Sequence, residues 1–434
     1  MASLNTMSAT DAARRIAAGT ITSEALLADC LARIEDREDV VGAWQHLDPD
    51  QALAEARARD REPRRGPLHG LPVGIKDIIE TADAPTAYGS PIYAGHRPDA
   101  DAACVRALRA AGAVIMGKTV TTEFAVFHPG KTRNPHDPDH TPGGSSSGSA
   151  AAVADLMIPL ALGSQTAGSV IRPAAFCGVV GFKPSYDAID YGGIKPGAPA
   201  LDTLGVFARS VADTALIAQA IGRADRGLAR IDPTVLAGPA PRVGLCRTPE
   251  WDRADAATRA LLEKAASVLD AAESPTPAAF SGLVDAQDDI MWAGLADTLA
   301  PEMRDHGGQL SDGLGKKLAA GAALPPARVA AARQMVAACT AELDSLFGDR
   351  DVLIAPAAVG EAPVGTATGD PLFNRIWTQL HLPCLTLPAG TGPAGLPLGI
   401  QIIGCLDDEA RLLRGAAWIE GMLADRPIVL VEPA

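Results

Sequence analysis

Hydrophobic and polar positions divide the chain into stretches of different character. Through residue 65, polar residues dominate and apolar ones recur at helical spacing. Ser8–Ala18 and Ser23–Glu35 each open with a small hydroxyl residue suited to capping free helix amides. In the second, Leu26, Leu27, Cys30, Leu31 and Ile34 share one face, which is expected to pack inward. From Gly66 to about residue 240, short apolar runs alternate with helical patterns and Gly/Pro breaks; Leu71–Ile75, Ala113–Met116 and Val179–Phe182 are examples. Residues 255–348 read as helical and Ala-rich. Val243–Cys246 is a further apolar run before them; after them 351–434 return to strand pattern, as Val352–Ala355 shows, and add a last helix around Asp408–Leu423. Short apolar strands separated by helices predict an α/β fold whose sheet is covered on both faces. No stretch resembles a flexible linker, so a single large domain, 1–434, is expected.

Composition sharpens this picture in two ways. Aromatic residues are only 4% against 47% hydrophobic, so the core must be built from Ala, Val, Leu and Ile, which suits close helix–sheet packing. The net charge of −14 argues against nucleic acid as a partner, because phosphate binding needs a basic face. The seven cysteines are scattered, with no CxxC pair and no His at zinc-ligand spacing, and read as buried thiols rather than metal ligands. Met1–Arg15 lacks the apolar core of a signal peptide, and Ala150–Gly163 is too short and is interrupted by Asp155. The expectations are therefore no membrane partner and a cytoplasmic location.

Three segments concentrate chemistry. Leu68–Asp77 is an apolar strand that delivers Lys76 at its end; desolvation there would lower the lysine pKa and make it a base. Thr141–Ser149 is a Gly/Ser cluster followed by apolar, helix-forming residues, an odd place for a floppy linker. In Gly163–Ala175, small residues before Ser169 let successive backbone amides converge on one point, as an oxyanion hole beside a serine nucleophile requires.

Together these segments resemble the amidase signature family, over roughly Leu68–Ser185 and again Asp351–Gly404. Gly117-Lys118-Thr119 and Glu123-Phe124 stand in the family order between them. The resemblance implies a mixed, twisted central sheet with a catalytic core at 66–240, N-terminal helices at 1–65, a variable helical segment at 255–348 roofing the pocket, and a C-terminal return to the sheet at 351–434. It further implies a hydrolase of linear amides with no metal and no cofactor, acting on a small-molecule amide through an acyl-enzyme. Carried over by motif, Lys76 is the family lysine, Ser145 the serine after a cis peptide bond, and Ser169 the nucleophile. Ser145 would relay a proton from Ser169 to Lys76 and return it to the leaving amine. The amides of Thr166, Ala167, Gly168 and Ser169 would hold the oxyanion. Family members often form homodimers, although no apolar stripe here marks an interface.

Two departures matter. The usual Asp-Thr-Gly-Gly-Ser is Gln165-Thr166-Ala167-Gly168-Ser169, which questions any positive φ at Ala167. The usual Ser-Ile-Arg is Ser169-Val170-Ile171-Arg172, with the arginine one residue later. With Phe373–Trp377, this variant is similar to the malonamidase branch, which implies that Arg172 binds a substrate carboxylate. Phe124–Arg133 and Phe373–Trp377 are candidate pocket walls.

Other readings compete. A carbamate or urea-derivative hydrolase would use the same tetrahedral chemistry, and the glutamine-amidase subunit of a tRNA-dependent amidotransferase would share the fold. Gly112–Thr119 satisfies the spacing of a nucleotide-binding P-loop, yet its interior is Ala113, Val114, Ile115 and Met116, a strand rather than a phosphate-cradling loop. Gly144–Gly148 satisfies the nucleophile-elbow pattern around Ser146, but His306 and His381 lie in unconvincing contexts for a triad.

Overall fold

The computed structural model describes residues 3–126, 128–428 and 430. Its centre is one sheet of eleven strands. In chain order these are β1 (Trp44–Leu47), β2 (Pro72–Lys76), β3 (Val114–Thr119), β4 (Leu160–Gln165), β5 (Val180–Lys183), β6 (Thr203–Ala208), β7 (Val243–Leu245), β8 (Ala272–Glu273), β9 (Val352–Pro356), β10 (Cys384–Thr391) and β11 (Pro397–Ile403). They lie side by side as β1-β3-β2-β4-β6-β5-β10-β11-β9-β7-β8. The sheet is mixed: β3, β2 and β4 run parallel, β6 through β11 alternate in direction, and β9, β7 and β8 are parallel again. This is the single α/β domain that the alternation of strands and helices predicts.

β2, β3, β4 and β6 are buried at every position, which is why they read as short continuous apolar runs rather than alternating ones. Helices Ser147–Ala154 and Ile171–Cys177 contact each other and the middle of the sheet. A second group, Ala103–Ala110, Val211–Ile221, Ala256–Val268 and Glu409–Asp425, makes a continuous row of contacts along it. Small residues let these layers approach closely. A Cβ on Gly148 would lie 2.3 Å from the Ala43 carbonyl oxygen and 2.4 Å from the Val120 nitrogen. The low aromatic content follows from this Ala/Gly packing.

The N-terminal helices differ from expectation only at their ends. Ser8 caps Ala9–Ala17 through the Asp11 amide, and Thr22 rather than Ser23 caps Ser23–Val41, which runs on to a left-handed Gly42. A third helix, Pro49–Arg61, lies in the charged stretch. Between residues 256 and 347 the structure has six α-helices, two short 3-10 helices and the brief strand β8; Leu283–Thr298 packs against Asp312–Ala322 and Pro326–Thr340.

Lys118 of the P-loop-like pattern sits inside β3, fully buried, and donates to the Ile79 carbonyl at 2.6 Å and to Thr86 Oγ1 at 2.5 Å. It is an internal pin in the sheet, not a phosphate ligand.

The close approach at Gly148 sets a test. Gly148→Ala should lower stability by about 1–3 kcal/mol through overpacking, read by urea unfolding. An unchanged unfolding midpoint would show that the helix can move away from the sheet.

Candidate active site

Parallel pairing of β2 with β4 brings their C-terminal ends together, and Lys76 is the last residue of β2. Its Nζ lies 2.7 Å from Ser145 Oγ, 2.9 Å from Ser164 Oγ and 3.5 Å from the Ser164 carbonyl oxygen. The amine is fully buried, and that burial pushes its pKa well below lysine's ordinary value; the nearby Asp202 carboxylate pulls weakly the other way. Ser145 is itself buried and follows a cis peptide bond from Gly144. The loop that carries it runs directly into helix Ser147–Ala154, which returns the chain to β4.

Beyond Gln165 the chain leaves β4 in a short turn, Thr166–Val170, before helix Ile171–Cys177. Ser169 is 8% exposed and faces a pocket of about 520 Å³. Thr166, Ala167 and Arg172 line the same pocket. Among the described residues, the backbone amides of Thr166, Ala167, Gly168 and Ser169 donate to no other group. Ala167 does not adopt a positive φ, so its replacement of the usual glycine costs nothing there. Gly168 does need to be glycine for a different reason: a Cβ would lie 2.4 Å from Asn374 Oδ1.

Arg172 is 4% exposed and donates through one terminal nitrogen to the Gly144 carbonyl at 2.8 Å. Its Nε and other terminal nitrogen have no partner among the described residues. Burial lowers its pKa to about 9, partly opposed by Asp370 and reinforced by Arg375. Asp370, Arg375, Asp288 and Lys317 add charge to the pocket, with Arg375 paired to Asp288. Met291, Trp292 and Leu295 of helix Leu283–Thr298 supply the apolar roof.

Lys76 and Ser145 are thus in direct contact, Thr166, Ala167, Ser169 and Arg172 line one pocket, and Arg172 ties the two groups through the carbonyl of Gly144, the residue before Ser145. The expected walls need correction. Phe124, Ala125 and Val126 line the pocket, but Phe127 lies outside the described residues and none of 128–133 is in the lining. Phe373 and Trp377 do not line it either: they are one turn apart on helix Leu372–Gln379 and face the core, at 1% and 0% exposure, while Arg375 on another side reaches the pocket. Ser146, the centre of the elbow-like pattern, is fully buried and bonded to the Ser164 carbonyl. His381 Nε2 is engaged with the Ala200 carbonyl. Sequence reasoning did not find Ser164, Asp202 or Asn374. Ser164 had a signal, as a hydroxyl near the end of the strand that would pair with the lysine strand.

The Amidase family profile matches residues 25–413. The chain belongs to the amidase family. A glutamyl-tRNA(Gln) amidotransferase subunit from Chloroflexus aggregans is 35% identical to it, over 95% of this chain and 96% of that one. Among solved amidase structures, the native peptide amidase from Stenotrophomonas maltophilia is 32% identical, with a TM-score of 0.81 and 96% of each chain covered. The substrate complex of 6-aminohexanoate cyclic dimer hydrolase is 26% identical, with a TM-score of 0.85, covering 98% of this chain and 99% of that one. Hydrolytic C–N cleavage by a serine enzyme of this family is thereby supported. The malonamidase branch continues to rest on the residues that suggested it. Among the described residues of this amidase, no helix is long and apolar enough to cross a membrane.

The contact at Gly168 can be tested. In Gly168→Ala the new methyl group should push the turn off Asn374 and lower kcat/KM by about tenfold or more, as misaimed oxyanion donors do. Full activity in a folded variant would show that the turn tolerates the shift.

Proposed function

We propose that this amidase cleaves the primary amide of a small, carboxylate-bearing substrate, with Ser169 as nucleophile, Ser145 as proton relay and Lys76 as base. The observation that carries this reading is the 2.7 Å contact between a fully buried Lys76 amine and Ser145 Oγ, beside the pocket that holds Ser169. A serine hydroxyl needs its proton removed before it attacks. Ser169 Oγ would add to the amide carbon as Ser145 takes its proton and passes its own to neutral Lys76. The negative carbonyl oxygen would be met by the free amides of 166–169. Collapse returns the proton to the leaving ammonia, and water then repeats the sequence on the acyl-enzyme.

Arg172 supports the carboxylate preference, because two of its guanidinium nitrogens are buried at the pocket without partners. An incoming carboxylate would satisfy them with a planar, charge-assisted pair. Malonamate meets this requirement, and so does glutamine, with a longer spacer between amide and carboxylate. The 35% identity with amidotransferase subunits along 95% of the chain favours the glutamine, amide-donor reading over the malonamate one. Both share the chemistry up to the acyl-enzyme and differ in the spacer and in where ammonia goes.

Treatment with a fluorophosphonate and peptide mapping should place one adduct on Ser169, absent in Ser169→Ala; labelling of Ser146 instead would overturn the assignment. Ammonia release from malonamate and from glutamine by the isolated chain then separates the two spacers. In Arg172→Ala the preference for an acidic over a neutral amide should collapse, and a preserved ratio of kcat/KM values would remove the carboxylate role.

The pH dependence has a definite sign. A base must be neutral, so activity is lost as pH falls through the folded pKa of Lys76. Because burial lowers that pKa, the activity limb should lie well below lysine's usual range. Lys76→Ala should abolish the limb; an unchanged profile in that variant would identify another base.

A further inference from the structure

The turn that carries the free amides is gripped through its carbonyls. The Thr166 carbonyl accepts from Gln287 Nε2 at 3.1 Å, the Ala167 carbonyl from Thr378 Oγ1 at 2.8 Å, and the Gly168 carbonyl from the Arg172 amide at 3.0 Å. The peptide bonds between these residues are trans, since the cis bond recorded among the described residues is Gly144–Ser145. In a planar trans peptide the C=O and the following N–H point in opposite directions. Holding the carbonyls of 166, 167 and 168 on one side therefore turns the N–H groups of Ala167, Gly168 and Ser169 to the other, where they have no protein partner.

The holding groups are themselves fixed. Thr378 accepts from Gln165 Nε2 at 2.9 Å, which leaves its single proton for the Ala167 carbonyl, with the Asn374 carbonyl at 3.0 Å as the weaker alternative. Gln165 Oε1 accepts from the amides of Val170 and Ile171 at 2.8 and 3.0 Å, so these two amides are withdrawn from the hole. An aspartate in place of Gln165 could not donate to Thr378. Gln287 is fully buried and lies on helix Leu283–Thr298, the element whose Asp288, Met291 and Trp292 line the pocket.

We infer that Gln287 and Thr378 are positioning residues that aim the oxyanion-binding amides of Ala167 and Gly168, with Gln165 orienting Thr378. This rests on the assignment of Ser169 as nucleophile and of the 166–169 amides as the oxyanion hole. A consequence is that the roof helix contacts both the bound substrate and the peptide that stabilises its transition state. Substrate that seats the roof well also aims the hole.

The test needs no knowledge of the natural substrate. The probe is a fluorophosphonate, whose P=O oxygen takes the place of the oxyanion during attack by Ser169. Its second-order labelling rate and the thermal midpoint are measured for the whole chain, wild type, Thr378→Val, Thr378→Ser and Gln287→Met. Thr378→Val and Gln287→Met keep shape but lose the donor; each should label Ser169 about tenfold or more slowly, with the midpoint little changed, given that one oxyanion donor is worth ~10²–10³ in rate. Thr378→Ser restores the hydroxyl and should restore the rate. Labelling of folded Thr378→Val and Gln287→Met at the wild-type rate would overturn the inference while leaving Ser169 as nucleophile. Slow labelling of Thr378→Ser, at the level of Thr378→Val, would overturn the Thr378 role by showing that bulk and not the hydroxyl matters. Absence of any adduct on wild-type Ser169 would instead overturn the underlying assignment. Should Thr378→Val fail to fold, Thr378→Ser and Gln287→Met decide the matter.

Discussion

Burial of the Lys76 amine among two serine hydroxyls and one carbonyl, with no ion-pair partner among the described residues, constrains everything around it. An ammonium in that position would be desolvated without compensation, so the fold accommodates the neutral amine far better than the charged one. The linkage sign follows: the folded pKa lies below the 10.5 of a free lysine, the native state binds fewer protons between those values, and this group favours folding more as pH rises. The same property that makes Lys76 a poor contributor to stability at neutral pH makes it a usable base. Its position is set by the parallel pairing of β2 with β4, which leaves no freedom for the strand end to reach solvent.

A second constraint is electrostatic and lies in the backbone. Four consecutive amides without protein partners are an unusual thing to leave in a folded chain, because buried N–H groups are normally satisfied. Three of them, those of Ala167, Gly168 and Ser169, are kept in position by carbonyls bonded from elsewhere: a glutamine on the roof helix, a threonine on helix Leu372–Gln379 and the first turn of helix Ile171–Cys177. Preorganisation of this kind needs no rearrangement when charge develops, which is where its catalytic value lies. Asn374 closes the turn from outside by excluding any side chain at residue 168.

How much of this was legible in the sequence depends on where the controlling residues sit. Lys76, Ser145, Ser169 and Arg172 stand in local motifs; the structure pairs Lys76 with Ser145, puts Ser169 and Arg172 in one pocket, and bonds Arg172 to the Gly144 carbonyl beside Ser145. The fold class was legible because buried strands such as β2 and β4 leave continuous apolar runs between helical patterns. Phe373 and Trp377 were misread because an aromatic pair one turn apart says that a helix has an apolar face, without saying whether that face meets core or pocket. Gln287 and Thr378 carried no local signal at all. They are polar residues in unremarkable helices, and only the tertiary fold brings them to Thr166 and Ala167.

The family resemblance constrains chemistry more tightly than substrate, and the physical reason is visible in the pocket. Groups proposed to handle the amide itself come from the end of β2 and from the loops that follow β3 and β4. Groups that would read the rest of the substrate come from the helical segment and from 367–375: Asp288, Trp292, Lys317, Asp370 and Arg375. Substrate can thus change through the second set of groups while the first stays as it is. Arg172 sits between these two sets, one nitrogen on the Gly144 carbonyl and the others unpartnered toward the pocket. Because Arg172 and Ser169 line the same pocket, a carboxylate held by the one and an amide attacked by the other would have to fit between them, so the length of the spacer is the variable on which the substrate question turns.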